Sequence, residues 1–435
     1  MSDYSARITL NAYRMVGKVI YPFMGPFLRL RARRGKEDVS RRYERYGYPS
    51  AERPDGPLIW FHAASVGETM AVMPLIEHVD RQGINTVLTT GTVTSAEVVR
   101  GRLPGSTFHQ YVPLDLERAV GRFLDHWKPD LAIFTESEIW PATILELGAR
   151  QIPQILVNAR MSDRSFSRWS SGLKLAEALF DNISHVVAQS EVDAERFRHL
   201  GARPVSVCGN LKVDSDSLPF SDVDLSQLKF QMADRPTWIA ASTHAGEEAV
   251  AMRVHARLKQ VIPNLLTIIV PRHPDRADEI TSSGETAGLN IVRRSTSEPI
   301  LWETDIFLGD TIGEMGLYLR LASVAFMGRS LVASGGQNPV EPAMVGAAIL
   351  TGRQVHNFRD TYRGLLEAGA ARVVRDEDML ADNVEFLLSN DQERINMIDS
   401  ARNALDGMSG AVERTEKVLE AYLFPLTVKR DLEGM

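Results

Sequence analysis

Charged side chains follow short apolar runs at three places in the first half of the sequence. They are Glu68, the pair Glu136 and Glu138, and Lys212. A carboxylate at the end of a buried strand rarely serves packing and can act as a general base, whereas a lysine there can stabilise negative charge. Two alternatives stay open: Glu68, in the first turn of a predicted helix, could complement the helix dipole, and Lys212 could form a hinge salt bridge with Asp214.

A second set of residues, in the other half of the chain, suits a phosphorylated ligand. It comprises Pro271 and Arg272, the turn Ile312, Gly313 and Glu314, and the segment Asn338, Pro339, Val340 and Glu341. An arginine offers a planar fork of donors that matches a phosphate, and glycine lets backbone amides approach a ligand. The last segment opens a predicted helix, whose free amides and dipole favour an anion, while Glu341 could bind sugar hydroxyls or only complement the dipole. The set predicts a site for the phosphate and ribose of a nucleotide sugar.

Other kinds of site are excluded or disfavoured. The junction at 56–68 has neither a G-x-G-x-x-G nor a G-K-[ST] motif, so a classical dinucleotide or P-loop site is unsupported there. The single cysteine, Cys208, excludes an intramolecular disulfide and a cysteine-based zinc cage. Asp214 and Asp216 have the Asp-x-Asp spacing of a metal motif, but they lie in a polar linker, where we expect them to be solvated.

The elements that must position these residues are apolar runs that alternate with amphipathic stretches. Strands are predicted at 57–63, 86–91, 131–136, 154–159, 185–190 and 205–210, and, after a polar stretch at 214–219, at 237–242, 265–270, 289–294, 305–310, 324–329 and 347–352. Helices are predicted at Ala71–Arg81, at Ala119–Trp127 and from Gln392 to about Tyr422. The alternation predicts an α/β protein of two Rossmann-like, doubly wound domains facing each other across a cleft, with ligands at the carboxyl ends of the strands.

Length and composition predict a folded chain of two domains, and the charge distribution adds a basic segment before them. A chain of 435 residues, 44% hydrophobic and 24% charged, is too long for one ordinary core and too apolar to be disordered. We expect a basic amphipathic segment at 1–50, an N-terminal acceptor domain at 51–215, and a C-terminal donor domain with the terminal helices at 216–435. The polar stretch at 214–219 is the expected linker.

The segment 1–50 has the composition of a membrane-surface element. It contains eleven Lys and Arg against four Asp and Glu, although the whole chain has a net charge of −7. Its longest uncharged stretch, Val19–Leu28, is half of the ~20 residues that a spanning helix needs. We therefore expect neither a signal peptide nor a transmembrane helix, but an amphipathic segment on an anionic lipid surface. The alternative is a first helix that packs on the protein itself.

Eight segments, in order, resemble the Kdo (3-deoxy-D-manno-octulosonic acid) transferase family, and together they cover roughly residues 55–360. They are WFHAASVGE, TGTVTSAE, TESEIWP, NARMSDRS, GNLKVD, PRHPDR, GEMGLYL and SGGQNPVEPA. The resemblance implies the GT-B fold and transfer of Kdo from CMP-Kdo to the glucosamine disaccharide of lipid IVA, with inversion and without a metal or organic cofactor. It also implies a role in lipopolysaccharide biosynthesis, at the cytoplasmic face of the inner membrane.

The same resemblance implies roles for the candidate residues. Glu68 matches the general base that takes the proton from the acceptor's primary hydroxyl, and Glu136 and Lys212 match positions that support the transition state. Of the Glu-x-Glu pair, Glu136 is favoured over Glu138. Arg272 matches the ligand of the CMP phosphate, and the other members of the second set match the remaining CMP contacts.

Other functions are compatible with parts of this pattern. One is a different GT-B nucleotide-sugar enzyme, either a UDP-sugar transferase or an epimerase, and another is a non-catalytic membrane-surface protein that binds lipid-linked sugars. Intact Glu68 and Arg272 argue against the second, because a binding module needs no strand-end carboxylate. Nucleic acid is not an expected partner, since the body of the chain is acidic and no nucleic-acid module is recognised. No oligomeric state is predicted.

Overall fold

Buried runs rich in β-branched residues form the strands in both halves of the chain. The structure, a computed structural model, describes residues 13, 15–214 and 218–433. The first half contains β1 (Leu58–Ala63), β2 (Asn85–Thr90), β3 (Thr107–Tyr111), β4 (Leu131–Thr135), β5 (Gln154–Ala159), β6 (His185–Ala188) and β7 (Val205–Val207). The second half contains β8 (Thr237–Thr243), β9 (Leu266–Pro271), β10 (Ile291–Arg293), β11 (Ile306–Leu308), β12 (Val324–Met327), β13 (Ala348–Thr351) and β14 (Ala371–Val373).

Helices connect the strands in both halves. They are α1 (15–20), α2 (Met24–Arg33), α3 (Val66–Arg81), α4 (Val93–Val99), α5 (Glu117–Trp127), α6 (Pro141–Ala149), α7 (Asp163–Ser171), α8 (Leu173–Phe180), α9 (Glu191–His199), α10 (Leu211–Asp214), α11 (Asp222–Met232), α12 (Glu247–Leu258), α13 (Ala277–Thr286), α14 (Met315–Leu319), α15 (Val340–Val345), α16 (Arg359–Glu367), α17 (Glu377–Ser389), α18 (Asp391–Met408) and α19 (Ala411–Glu433). Short 3₁₀ turns lie at Tyr21–Phe23, Arg42–Tyr46, Pro274–Arg276, Arg294–Thr296 and His356–Phe358.

In the described part of the chain the strands form two parallel, seven-stranded sheets. Their orders are β3-β2-β1-β4-β5-β6-β7 and β10-β11-β9-β8-β12-β13-β14. The direction of strand addition reverses between β1 and β4 in the first sheet and between β8 and β12 in the second. Ligands bind outside the carboxyl ends of the strands at such switch points. The α/β, doubly wound prediction is confirmed for each half.

All twelve predicted strands are present, and two further strands, β3 and β14, were outside the prediction. Both are edge strands, with a neighbour on one side only. β3 includes His109 and Gln110, and β14 is three residues long, so neither has the continuous apolar run of a central strand. Helix α3 begins at Val66 and not at the predicted Ala71, because Ser65 caps its first turn.

Alternate residues of β1 pack into two different apolar layers. Leu58 and Trp60 belong to a cluster with Phe123 of α5, on one face of the first sheet. Ile59 and Phe61 belong to a cluster on the opposite face. Because both faces are covered, β1 is buried throughout, and this rigid strand carries the loop that follows it.

The prediction that residues 216–435 form one domain is wrong for the last helix. The chain divides into a first unit, formed by residues up to 215 together with those from 409 onward, and a second unit, residues 216–408. Leu419 and Leu423 of α19 are buried in the apolar cluster beneath β1. Asp214, expected to be solvated, accepts hydrogen bonds from the backbone N–H groups of Gly410 (2.9 Å) and Val412 (2.7 Å) at the start of α19. Of the predicted linker, residues 215–217 lie outside the described residues.

The basic segment is shorter than the predicted 1–50, of which residues 1–12 and 14 lie outside the described residues. Glu37, Glu44 and Arg45 are at most 7% exposed and belong to the interior of the first unit. Leu28 of α2 is also buried, so the segment packs partly on the protein. Among the described residues, none of the helices combines the length and apolar character needed to cross a lipid bilayer.

Candidate active site

The Glu68 carboxylate is held at the carboxyl end of β1 by three groups. Ser65 is the N-cap of α3, and its hydroxyl donates to Oε1 of Glu68 (2.8 Å). The Ala64 N–H donates to Oε2 (2.9 Å), and the hydroxyl of Thr135, at the end of β4, lies 3.1 Å from the same oxygen. Glu68 therefore lies in the first turn of α3, as the dipole alternative anticipated, but its carboxylate is also buried and points across to the neighbouring strand.

Glu136 and Lys212 form a buried ion pair beside Glu68. The Lys212 Nζ lies 2.5 Å from Oε1 of Glu136, and the two side chains are 15% and 13% exposed. Asn158, near the end of β5, accepts a hydrogen bond from the Leu211 N–H (3.0 Å) and so fixes the start of α10, which carries Lys212. The alternative for Lys212 was a hinge salt bridge with Asp214, but its ammonium group lies on Glu136.

Glu138 has a different environment from Glu136. Its Oε2 accepts a hydrogen bond from the Trp140 indole (2.6 Å) and lies 3.5 Å from Nε2 of the buried His62. The Glu-x-Glu pair is therefore divided: Glu136 contacts a buried cation, whereas Glu138 lies between two rings. The preference for Glu136 over Glu138 as the residue that supports the transition state stays a prediction.

The carboxylates of Glu68 and Glu136 have pKa values that are shifted in opposite directions. Burial, and then the charges of Glu136 and Glu138, raise the pKa of Glu68 above its ordinary value, against the opposing effect of Lys212. Burial opposes ionisation of Glu136, but Lys212 and then Arg160 outweigh it and hold its pKa below the ordinary value. The charge of Glu136 in turn raises the pKa of Lys212 despite burial. Environments that shift the pKa values of two neighbouring carboxylates in opposite directions are typical of an acid–base site.

In the second unit, Arg272 follows β9 at the carboxyl edge of the sheet. Its N–H donates to the Thr243 carbonyl (2.9 Å), which ties it to the end of β8, and its side chain is exposed. Pro271 is buried as the last residue of β9. The guanidinium is therefore carried by two adjacent strand ends and is accessible to a ligand of this unit.

The turn Ile312 to Glu314 links β11 to α14. Gly313 has φ +89°, a left-handed conformation that favours glycine. The Glu314 carboxylate accepts from Arg294 (2.8 Å) and Thr311, so its side chain fixes the turn while the backbone stays at the strand end. In this turn, backbone groups and not the Glu314 side chain are best placed to meet a ligand.

The segment from Asn338 to Glu341 opens α15, as predicted. Oδ1 of Asn338 accepts from the Val340 N–H (3.2 Å), and its Nδ2 donates to Oε1 of Glu341 (3.2 Å). Pro339 precedes the helix and has no N–H to leave unpaired. Asn338 and Glu341 thus form one small polar cluster at the start of a six-residue helix.

Comparison with known proteins identifies the family. A model of 3-deoxy-D-manno-octulosonic-acid transferases (kdotransferases) matches residues 40–215. The chain is 35% identical to the 3-deoxy-D-manno-octulosonic acid transferase of Haemophilus influenzae, over 93% of this chain and 96% of that protein. It is 32% identical to the transferase of the same name from Rickettsia bellii, over 96% and 99%. The chain belongs to the Kdo transferase family.

The solved structures add the fold. The structure of S. aureus MnaA with UDP covers 84% of this chain and 97% of its own, with a TM-score of 0.59 at 13% identity. At that identity the likeness shows the fold alone, and the GT-B prediction is confirmed. Family membership also confirms the prediction of a glycosyltransferase over that of a non-catalytic binding protein.

Sequence reasoning missed one residue of this transferase that organises the second unit's strand ends. Glu247, 1% exposed, accepts hydrogen bonds from the backbone N–H groups of His244 (2.9 Å), Arg329 (2.6 Å), Ser330 (3.0 Å) and Leu331 (3.2 Å). It therefore joins the ends of β8 and β12 at the switch point. A signal was present: Ala-Ala-Ser occurs at the end of β1 and again within the last residues of β8, and a Gly-Glu pair follows each, ending at Glu68 and at Glu247.

Proposed function

We propose that this protein transfers Kdo from CMP-Kdo to the glucosamine disaccharide of lipid IVA, in lipopolysaccharide biosynthesis, by a single inverting displacement. Family membership supports the reaction, and one observation carries the assignment of the base. Glu68 is a buried carboxylate with a raised pKa, oriented by Ser65, Ala64 and Thr135. A base is most effective when its pKa lies near the working pH, and the surroundings of Glu68 move it in that direction.

In the proposed step the acceptor's primary hydroxyl oxygen attacks the anomeric carbon of Kdo. Its proton passes to the Glu68 carboxylate as the new carbon–oxygen bond forms. The bond between the anomeric carbon and the CMP phosphate breaks, and the electron pair leaves on the phosphate oxygen. One base and one leaving group suffice, and this agrees with inversion in a single displacement.

Charged groups of the two units would stabilise this step in different ways. Glu136, kept ionised by Lys212, can stabilise positive charge that develops at the anomeric carbon. Arg272, with Pro271 and the backbone of the 312–314 and 338–341 segments, would bind the CMP moiety and its phosphate. Because protein cations can neutralise the leaving phosphate, we propose that neither a metal nor an organic cofactor takes part.

We further propose that α1 and α2 lie on the anionic cytoplasmic surface of the inner membrane, where the lipid acceptor is presented. Large apolar side chains of these helices and the turn between them are exposed: Met15 (69%), Val19 (67%), Phe23 (67%), Phe27 (47%) and Leu30 (49%). Arg31 and Arg33 lie in the last turn of α2. Exposed apolar side chains flanked by arginines are typical of a helix that rests in a lipid interface.

Incubation of the purified protein with CMP-Kdo and lipid IVA tests the function. Replacing Glu68 by Gln keeps the shape of the side chain and removes the base, so activity should fall by ~10²–10⁴. Arg272→Ala should raise KM for CMP-Kdo. Glu77→Gln, on an exposed position of the same helix, is the matched control and should leave activity unchanged. If the wild-type protein forms no Kdo-bearing lipid, the proposed function is wrong; full activity of Glu68→Gln would overturn only the base.

A further inference from the structure

A buried arginine joins the segment after α2 to the strand end beside Glu68. Arg45 is 5% exposed, and its guanidinium donates in three directions. The acceptors are Oε2 of Glu37 (2.9 Å), the Val112 carbonyl (3.2 Å) and the Gly91 carbonyl (2.7 Å). Gly91 and Val112 directly follow β2 and β3, so Arg45 binds the carboxyl ends of two neighbouring strands.

Gly91 lies against the loop that orients the candidate base. A Cβ atom at Gly91 would lie 2.7 Å from the Ala64 carbonyl oxygen, a distance that only glycine can accommodate without a backbone shift. The N–H of the same Ala64 donates to Oε2 of Glu68. Two residues therefore connect the Arg45 guanidinium to the Glu68 carboxylate: Gly91, which follows β2, and Ala64, which follows β1.

The other end of this path reaches the basic segment. Glu37, 7% exposed, accepts from Arg45 with one carboxylate oxygen and from Arg31 of α2 (2.7 Å) with the other. A buried ion pair is often no more stabilising than a well-packed apolar pair of similar volume. The planar guanidinium fork of Arg45 donates to two carbonyl groups and a carboxylate at once. An apolar side chain could not make these directional contacts.

We propose that Arg45 is a positioning residue for Kdo transfer: it holds Gly91 against Ala64 and thereby fixes the Glu68 carboxylate, and Glu37 links this clamp to α2. The inference rests on the proposed role of Glu68 as the base. It assigns a catalytic consequence to the segment between α2 and β1, in addition to any contact of α2 with lipid.

Arg45→Met tests the proposal, with Arg53→Met as the matched control. Arg53 also donates to backbone carbonyls, those of Trp127 (2.8 Å) and Gly56 (3.0 Å), but at the amino ends of β4 and β1, far along the strands from Glu68. In Arg45→Met, kcat at neutral pH should fall about 10- to 100-fold with KM for CMP-Kdo unchanged, because the base is misplaced while the donor site is intact. Arg45→Lys keeps the charge and loses the planar fork, so its kcat should lie between those of the wild type and Arg45→Met.

Two readouts separate positioning from a general loss of stability. The Ala64 N–H favours the ionised form of Glu68, so the acid limb of the kcat profile should move to higher pH in Arg45→Met and not in Arg53→Met. The titratable groups facing Glu68, namely Glu136, Glu138 and Lys212, are unchanged in both variants. Hydrogen exchange of the backbone amides at 63–68 should be faster in Arg45→Met alone.

Unchanged exchange at 63–68 together with an unchanged pH profile in Arg45→Met would overturn the proposal. If Arg45→Met does not fold, the same two measurements on Arg45→Lys decide. Failure of the base assignment is distinguishable, because Glu68→Gln would then be active while the exchange experiment still reports whether Arg45 holds the loop.

Discussion

Replacing Lys212 by Met should destabilise the first unit by leaving Glu136 buried without its lysine. Met keeps most of the volume of the lysine stem, so the change removes charge and not packing. Removal of one partner from a buried ion pair costs about 3–5 kcal/mol. Both side chains retain some exposure, 15% and 13%, so we expect the lower end, ~3 kcal/mol in the free energy of unfolding near pH 7.5.

The penalty should depend on pH in a defined direction. In the wild-type protein the pKa of Glu136 is lowered, so the pair stabilises the fold above the unfolded value of ~4.3 and is lost as pH falls through the folded value. In Lys212→Met, burial is still opposed by Arg160 but no longer by the lysine, so we expect the pKa of Glu136 to rise and the variant to gain stability when Glu136 takes up a proton. The difference between the two proteins should therefore be largest at pH 7.5 and shrink towards pH 4.5.

Native-state hydrogen exchange of β1 and β4 measures this difference in the first unit, since a chain of two units need not unfold in one step. The double variant Lys212→Met/Glu136→Gln is the critical comparison, because an amide in place of the carboxylate removes the buried charge. It should recover most of the loss at pH 7.5. A double variant no more stable than Lys212→Met, with a penalty independent of pH, would refute the reasoning.

Three further predictions concern other contacts. Glu138→Gln removes a negative neighbour that raises the pKa of Glu68, so the acid limb of kcat/KM should move to lower pH; an unmoved limb would contradict the electrostatic account. Glu247→Ala leaves buried N–H donors unpaired and should lower the stability of the second unit by at least ~2 kcal/mol and weaken CMP binding in calorimetry, whereas unchanged binding would remove its link to the donor site. Asp214→Ala should cost about 1 kcal/mol and speed exchange at the Gly410 and Val412 amides, and equal exchange would show that the cap is dispensable.

The central strands and the strand-end residues were predictable because their physical signal is local. A strand buried on both faces needs a continuous apolar run, and a charge that follows such a run stands out. The edge strands β3 and β14 lack that signal. The placement of α19 was also not predictable. Its apolar residues Leu419 and Leu423 indicate that the helix packs on a core, but they do not indicate which unit provides that core. The Asp214 cap that begins this helix lies 196 residues away from Gly410 in sequence.

Pairing within the candidate site depends on contacts between distant residues. Lys212 precedes Asp214 by two positions, which left a local salt bridge open as an alternative, but its ion-pair partner Glu136 lies 76 residues earlier. Glu136 follows β4, whereas Lys212 lies on α10, which follows β7, three positions away from β4 in the sheet, so their contact is visible only in the folded structure. The contacts of Arg45 also join residues that are distant in sequence. Its carbonyl acceptors belong to the backbone, so residue types do not reveal that they bind an arginine.

Backbone strain marks the same strand ends in both sheets. Four non-glycine residues there have left-handed φ angles: Glu136 (53°), Asn158 (51°), Ser242 (53°) and Arg329 (58°). The pairing register also shifts between Leu156 and Ala159 and between Ala241 and Thr243, at two of these positions. Turn chemistry alone would favour glycine at such sites, so the sequence predicts ordinary strand continuation or a glycine turn.

Each strained residue costs about 1–3 kcal/mol and persists only where its surroundings hold it. Glu136 is held by Lys212, and the N–H of Arg329 is held by the buried Glu247. Bulges and left-handed residues turn side chains out of the regular alternation of a strand, towards the carboxyl edge of the sheet. The ion pair of Glu136 and Lys212 in the first sheet and the Glu247 carboxylate in the second sheet therefore have the same structural role. Each holds in place a strand end that aims a charged side chain where a parallel sheet binds its ligand.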